Sequence, residues 1–430
     1  MKGILAWFLA LAAASVCAAD TAKVALIREL LRDPSLAEWR ALARFDGTLT
    51  RADFEGRLDR IFDPDHGLRP YIQLGSAGVA LYPSAIHRGS PLVEIRFAPS
   101  AAARRGLPVA FINPAVFSSH AKPAGSLPLQ GLRVAIEPAD IGGRWAKMED
   151  RSVYFRGYGL INEGDLNLIV GRLLRDRLVR LGASVFLVRN RAEPVVPLTP
   201  EDVLAQTDAI LRENPALFQE AFRHRAQTAS SSTERLHIAA ELLLTKALET
   251  RARVALVRRS FQPDLTIVLQ HNATPESTEG RLTGLNRNIF FVHGAYLPAE
   301  LAQPEQRFRL LTKLFENVTP TETKVAAAIA RRFQAATGFA PVLYGNSATT
   351  RLVAAGDPYV VARNLAFNRE HDGPVVVTEP YFMNQPETLI RLLAGDFTGR
   401  RVVAGKPRIS IFREYADSVA SGIADAYARP

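Results

Sequence analysis

Apolar residues fall along this chain in two alternating rhythms. Short, nearly unbroken apolar runs occur at 132–136, 184–188, 266–270, 287–292, 341–344 and 375–378. Runs this short suit strands buried on both faces. Between them lie longer stretches whose apolar positions recur at helical spacing: 164–181, 200–214, 215–230, 232–261, 306–336 with a break at Val318-Thr319-Pro320, and a helix starting at 387. Strand and helix alternating in this way predict an α/β domain, a parallel-dominated sheet with helices on both faces.

The first third reads differently. Helical spacing over 21–43 is broken by Asp33-Pro34-Ser35, and a further helix is predicted over 50–62 with Thr50 as its cap. Strand-like runs at 71–74, 79–81 and 92–97 follow in a setting rich in Pro, Gly and Ser. A small α+β domain over 20–127 is therefore expected ahead of the α/β domain, 128–430. The Pro- and Ser-rich 118–128 is the linker candidate, and a helical insertion at about 200–261 is the candidate cap for a cleft. Asp63-Pro64-Asp65-His66-Gly67 lacks the spacing of a calcium loop and reads as a turn.

Residues 1–19 carry Lys2, an apolar core from Ile4 to Ala14, and small residues around Cys17, the pattern of a secretory signal. A chain so exported reaches the periplasm or cell envelope, with no transmembrane segment left in the mature form. Cys17 is the sole cysteine, so the mature chain has no disulfide, and any metal must be held by His and carboxylates. The formal net charge of +10 suits anionic partners. No Lys/Arg-rich block or aromatic-basic stripe points to nucleic acid.

Candidate chemistry gathers where strands end, the place where open α/β sheets collect functional groups. The run 132–136 leads to Glu137-Pro138-Ala139-Asp140-Ile141-Gly142-Gly143; Glu163 opens the helix that begins Gly164-Asp165-Leu166-Asn167-Leu168; 266–270 delivers His271-Asn272-Ala273; and 375–378 delivers Glu379-Pro380-Tyr381-Phe382. Asp, Glu and His from separate elements can form a zinc triad, with a spare Glu as general base. Taken separately, His271 could be a polar strand-end residue, Glu163 a helix-start acid, and Glu379 half of an ion pair. Trp145, Lys147, Glu149, Arg363 and Asn364 are further loop candidates for ligand contact.

In this order and spacing the four stretches resemble the zinc-dependent N-acetylmuramoyl-L-alanine amidases of bacterial cell walls. That family shows Asp-Pro-Gly-His-Gly-Gly, Glu-x-Asp-Leu-Asn-Leu, His-x-Asn-Ala and Val-Glu-x-x-Phe. The resemblance spans about 130–412 and implies a Zn²⁺ site of Asp140, Glu163 and His271. It also implies that Glu379 is the catalytic acid–base and that peptidoglycan is the substrate. Asp140 stands where the family has its first zinc-binding His, and Ala139 where it has Gly. With two carboxylates and one His, the formal charge of Zn²⁺ is cancelled, so bound water is acidified less. His293 is the reserve ligand. Two readings follow: a secreted zinc amidase cleaving the muramoyl–L-alanine amide, or a catalytically impaired amidase-fold protein that binds the wall or a protein partner.

Overall fold

A computed structural model describes residues 20–86, 89–120, 123–213, 229–344, 346–353 and 357–428. The predicted signal segment and most of the helix predicted over 215–230 lie outside the described residues. The molecule is mixed α/β, built on a seven-stranded, mostly parallel sheet flanked by helices.

A three-stranded antiparallel sheet comes first: β1 (Ile72–Leu74), β2 (Gly78–Leu81) and β3 (Val93–Arg96). β3 packs against the 3-10 turn Leu42–Phe45, and Phe54 of the helix Arg51–Arg57 meets Phe97 just beyond β3; that helix and Leu36–Ala41 are both opened by capping boxes, from Thr50 and Ser35. The 118–128 stretch begins inside a short helix, Pro114–Ser119. The central sheet contains β4 (Arg133–Pro138), β7 (Ser184–Leu187), β8 (Leu265–Leu269), β9 (Ile289–Val292), β10 (Arg351–Leu352), β11 (Val360–Ala362) and β12 (Val375–Glu379), in the order β10-β11-β9-β12-β8-β4-β7. A separate hairpin pairs β5 (Ser152–Phe155) with β6 (Gly159–Asn162).

Side chains of the central strands alternate between two apolar layers, as the pleat requires. Leu265, Ile267 and Leu269 of β8 join Val134, Ile136, Leu174, Leu178, Ile329 and Val419. Val268 faces the other way, with Phe291, Val361, Val375 and Val377. On the first side lie the helices Glu163–Arg180, Thr319–Thr337 and Ile411–Ala428. The first layer also takes in Phe45, Phe54 and Leu58 from the N-terminal third, and Phe45 stacks on Phe315 with ring centroids 5.6 Å apart.

Three expectations change. The 341–344 run makes only a single bridge, Asn288 to Pro341. Strands β10 and β11, the β5–β6 hairpin and the C-terminal helix were not foreseen from the pattern. Most consequentially, β9 runs antiparallel to β12, with Ile289 opposite Glu379. His293, just beyond β9, therefore lies at the sheet end opposite Glu379. Its Nε2 is 2.7 Å from Tyr296 Oη, and its backbone N–H donates to Glu322. His293 is consequently not a reserve ligand for the site at the other end.

The insertion forms the helices Pro200–Glu213 and Ser232–Leu242, a π-helical stretch Leu243–Leu248, and the helix Glu249–Ser260. It buttresses the chain behind β4. Glu249 accepts from the backbone N–H groups of Val195 and Val196, and Arg253 bridges Glu249 (2.6 Å) and Glu137 (2.7 Å).

Candidate active site

Four parallel strands, β7, β4, β8 and β12, end on the same side of the sheet. Beyond those ends lies a cleft with a cavity of about 270 Å³, lined in part by Arg151, Glu163, His271, Asn272, Glu379 and Met383. Glu163, His271 and Glu379 thus meet in one place, from segments far apart in sequence. Asp140 does not line the cleft; it lies behind it, 2% exposed. Another cavity, about 460 Å³ and lined by Arg44, Phe308, Arg309 and Asp372 among others, is away from all four residues.

The turn after β4 has a specific geometry. Asp140 adopts φ of 60°, a left-handed conformation that a short polar side chain tolerates better than most. The conformation that glycine would ease thus falls at Asp140 and not at Ala139. Arg189 and Arg253 direct N–H groups at the Asp140 carbonyl, and buried Glu149 accepts from the Ile141 N–H. Trp145 is buried in a cluster with Ile141, Val196 and Leu198, so it and Glu149 hold the loop and do not face ligand. Asn364 is occupied with Gln306, and Arg363 lies over the Phe291 ring.

The hairpin brings a residue the sequence reading missed. Ser152 pairs with Asn162, so the positions flanking the hairpin base, Arg151 and Glu163, sit side by side; the Glu163 N–H donates to the Arg151 carbonyl. Arg151 Nε then lies 3.2 Å from Asp140 Oδ1 and 3.8 Å from Glu163 Oε2. Burial opposes ionisation of Asp140, but the charges of Arg151 and Lys246 outweigh it and hold its carboxyl below the usual range. Glu163 goes the other way: burial, then the neighbouring Asp140 charge, push it well up.

His271 has a fixed tautomer. Asn167 Nδ2 donates to the Ala139 carbonyl, which turns Asn167 Oδ1 toward His271 Nδ1 at 2.8 Å. Nδ1 must therefore carry the hydrogen, leaving a lone pair on Nε2, the arrangement by which a second residue orients a metal-ligating imidazole. Burial pushes its pKa down to about 3, so the ring is neutral. The His271 N–H donates to Glu163 Oε1 at 3.0 Å, tying two expected ligands together. Glu163 and Asn167 are four residues apart on one helical face, which lets both reach the same strand end. Tyr415, from the C-terminal helix, pins the floor: its hydroxyl is 2.9 Å from Gln270 O and 2.8 Å from Thr378 O. Glu379 is pushed up to about 7 by burial, against the opposing charges of Arg363 and Arg151.

The donors have the chemistry of a cation site. Asp140 Oδ2 is buried without a hydrogen-bond partner, and His271 Nε2 offers a lone pair. As placed, however, no group of three or more His, Cys, Asp or Glu side chains among the described residues is drawn together to hold a metal ion. A guanidinium, that of Arg151, stands between the carboxylates.

No protein-family model matches this chain, and no curated protein does. Among solved structures, similar chains include the N-acetylmuramyl-L-alanine amidase Ami1 from Mycobacterium smegmatis, at 14% identity and TM-score 0.36, covering 70% of this chain and 99% of that one. The amidase AmiC2 of Nostoc punctiforme gives 13% and 0.35, covering 68% and 96%. The CwlD amidase from Clostridioides difficile, solved in complex with the GerS lipoprotein, gives 10% and 0.35, covering 69% and 98%. These neighbours are N-acetylmuramoyl-L-alanine amidases at low sequence identity, and at these values the likeness assigns the chain to no family.

Proposed function

We propose that this chain is an envelope peptidoglycan amidase that hydrolyses the bond between N-acetylmuramic acid and L-alanine. The observation that carries the reading is the meeting of Glu163, His271 and Glu379 in one cleft, with the His271 tautomer fixed by Asn167. Asp140, Glu163 and His271 would hold zinc. When bound, zinc supplies Lewis-acid polarisation of the amide carbonyl and activation of water. The protein's own part is proton handling and orientation. With a pKa near 7, Glu379 is suited to take a proton from the attacking water and return it to the departing amine. Glu163 and Asn167 fix His271 from its backbone and its ring. The envelope location in this reading is supported by the leader-like pattern of residues 1–19 alone; among the described residues no helix is long and apolar enough to cross a membrane.

A second reading, a wall-binding protein with impaired catalysis, is favoured by one feature: the ion pair of Arg151 with Asp140. The test is release of stem peptide from purified sacculi, with zinc content and sacculus co-sedimentation measured on the same preparation. Peptide release that requires zinc and Glu379 supports the amidase; tight sedimentation without release supports the wall binder.

A further inference from the structure

Asp140 and Glu163 are 2% and 5% exposed and adjoin one another. Two carboxylates so placed need a compensating cation, because the interior does not solvate them. The charge of Lys246 acts on the pair from nearby, while Arg151 is in direct contact with Asp140 and is held there through one atom. Arg151 donates to Asp140 through Nε alone; among the described residues its two terminal nitrogens make no hydrogen bond. A guanidinium meant as a permanent strut ordinarily uses its bidentate fork, as Arg258 does toward Asp372. The Arg151 side chain is also 43% exposed and lines the cleft, so it has solvent to move into. Asp140, by contrast, cannot move out: its backbone is pinned from behind by Arg189 and Arg253, and its Oδ2 is left with unused acceptor capacity.

We propose that Arg151 is an exchangeable internal cation, which neutralises Asp140 and Glu163 when no metal is bound and must swing into the cleft for a divalent ion to enter. This deepens the reading of Asp140, Glu163 and His271 as metal ligands and rests on it. Arg151 is thereby a positioning residue that weakens metal binding by competition. It keeps the metal-free fold intact, so the site does not depend on zinc for its folding. The exchange moves no covalent bond; one positive group leaves the carboxylates as another arrives.

The experiment measures zinc affinity of the full chain, stripped of metal, by competition with a chromogenic chelator. Arg151→Gln should bind one zinc per chain at least about tenfold tighter than wild type, whereas Arg151→Lys, which keeps the charge, should stay within about threefold of it. His271→Ala added to Arg151→Gln should abolish the gain, which a merely structural arginine would not produce. Equal affinity in wild type and Arg151→Gln overturns the exchange while leaving the ligand set standing. Failure of both to bind zinc overturns the ligand set and the exchange together. Should Arg151→Gln be unfolded without metal, zinc restores its circular dichroism spectrum if Arg151 stands in for the ion; failure to restore it overturns the proposal.

Discussion

A carboxyl that is half ionised near neutrality is what a proton shuttle requires, and Glu379 has that property through burial. Its working form as a base is the carboxylate. Stem-peptide release should therefore climb as pH rises toward about 7 and level off above it, which initial rates across pH 5 to 9 would check. Glu379→Gln should lower the rate by about 10²–10⁴-fold and remove that limb of the profile, with zinc content unchanged. The same shift has a stability consequence of opposite sign. A folded pKa raised above the ordinary carboxyl value favours the folded state at acid pH, and the contribution is lost as pH rises through about 7. At this scale Asp140, Glu163, His271 and Glu379 were legible because they sit at strand or helix ends. Asn167 was legible in principle, one helical turn beyond Glu163. Arg151 was not, because only the pairing of Ser152 with Asn162 puts it beside Glu163.

Whole elements show where pattern succeeds and fails. Apolar runs located β4, β7, β8, β9 and β12, yet a run of apolar residues carries no direction. The reversal of β9 therefore surfaced only in its pairing with β12, and it removed His293 from consideration. The helix Glu163–Arg180 shows how tightly the site is set against its neighbours. A Cβ on Gly164 would lie 2.5 Å from the Ile141 carbonyl carbon and 2.6 Å from its oxygen, backbone atoms that cannot turn aside. Gly164→Ala should cost about 1–3 kcal/mol, seen as a lower urea midpoint, and should displace Glu163 with it. The insertion is tested through Arg253, which is 1% exposed between two carboxylates. Arg253→Met strands Glu137 and Glu249 in the interior and should cost about 3–5 kcal/mol in the same measurement.

At the scale of the molecule, acid sensitivity should follow the buried ionic groups on which the sheet's far side depends. Burial works against ionisation of Glu370, but Arg251, Arg309 and Arg369 around it bring its pKa down to about 2. With the folded pKa depressed, its stabilisation is full above the ordinary carboxyl pKa and fades as pH falls toward about 2. Thermal midpoints of wild type and Glu370→Gln should differ most near pH 7 and converge toward pH 2. Architecture at this scale was readable as α/β from the alternation of elements. The C-terminal helix escaped the pattern, although it closes the apolar layer against two other helices. That helix, through Tyr415, is also fastened to the ends of β8 and β12, and it follows every cleft residue in chain order. During synthesis the floor of the cleft thus waits for a helix made after every residue that lines it. Until that helix is in place, the ends of β8 and β12 lack the hydroxyl that fastens them together.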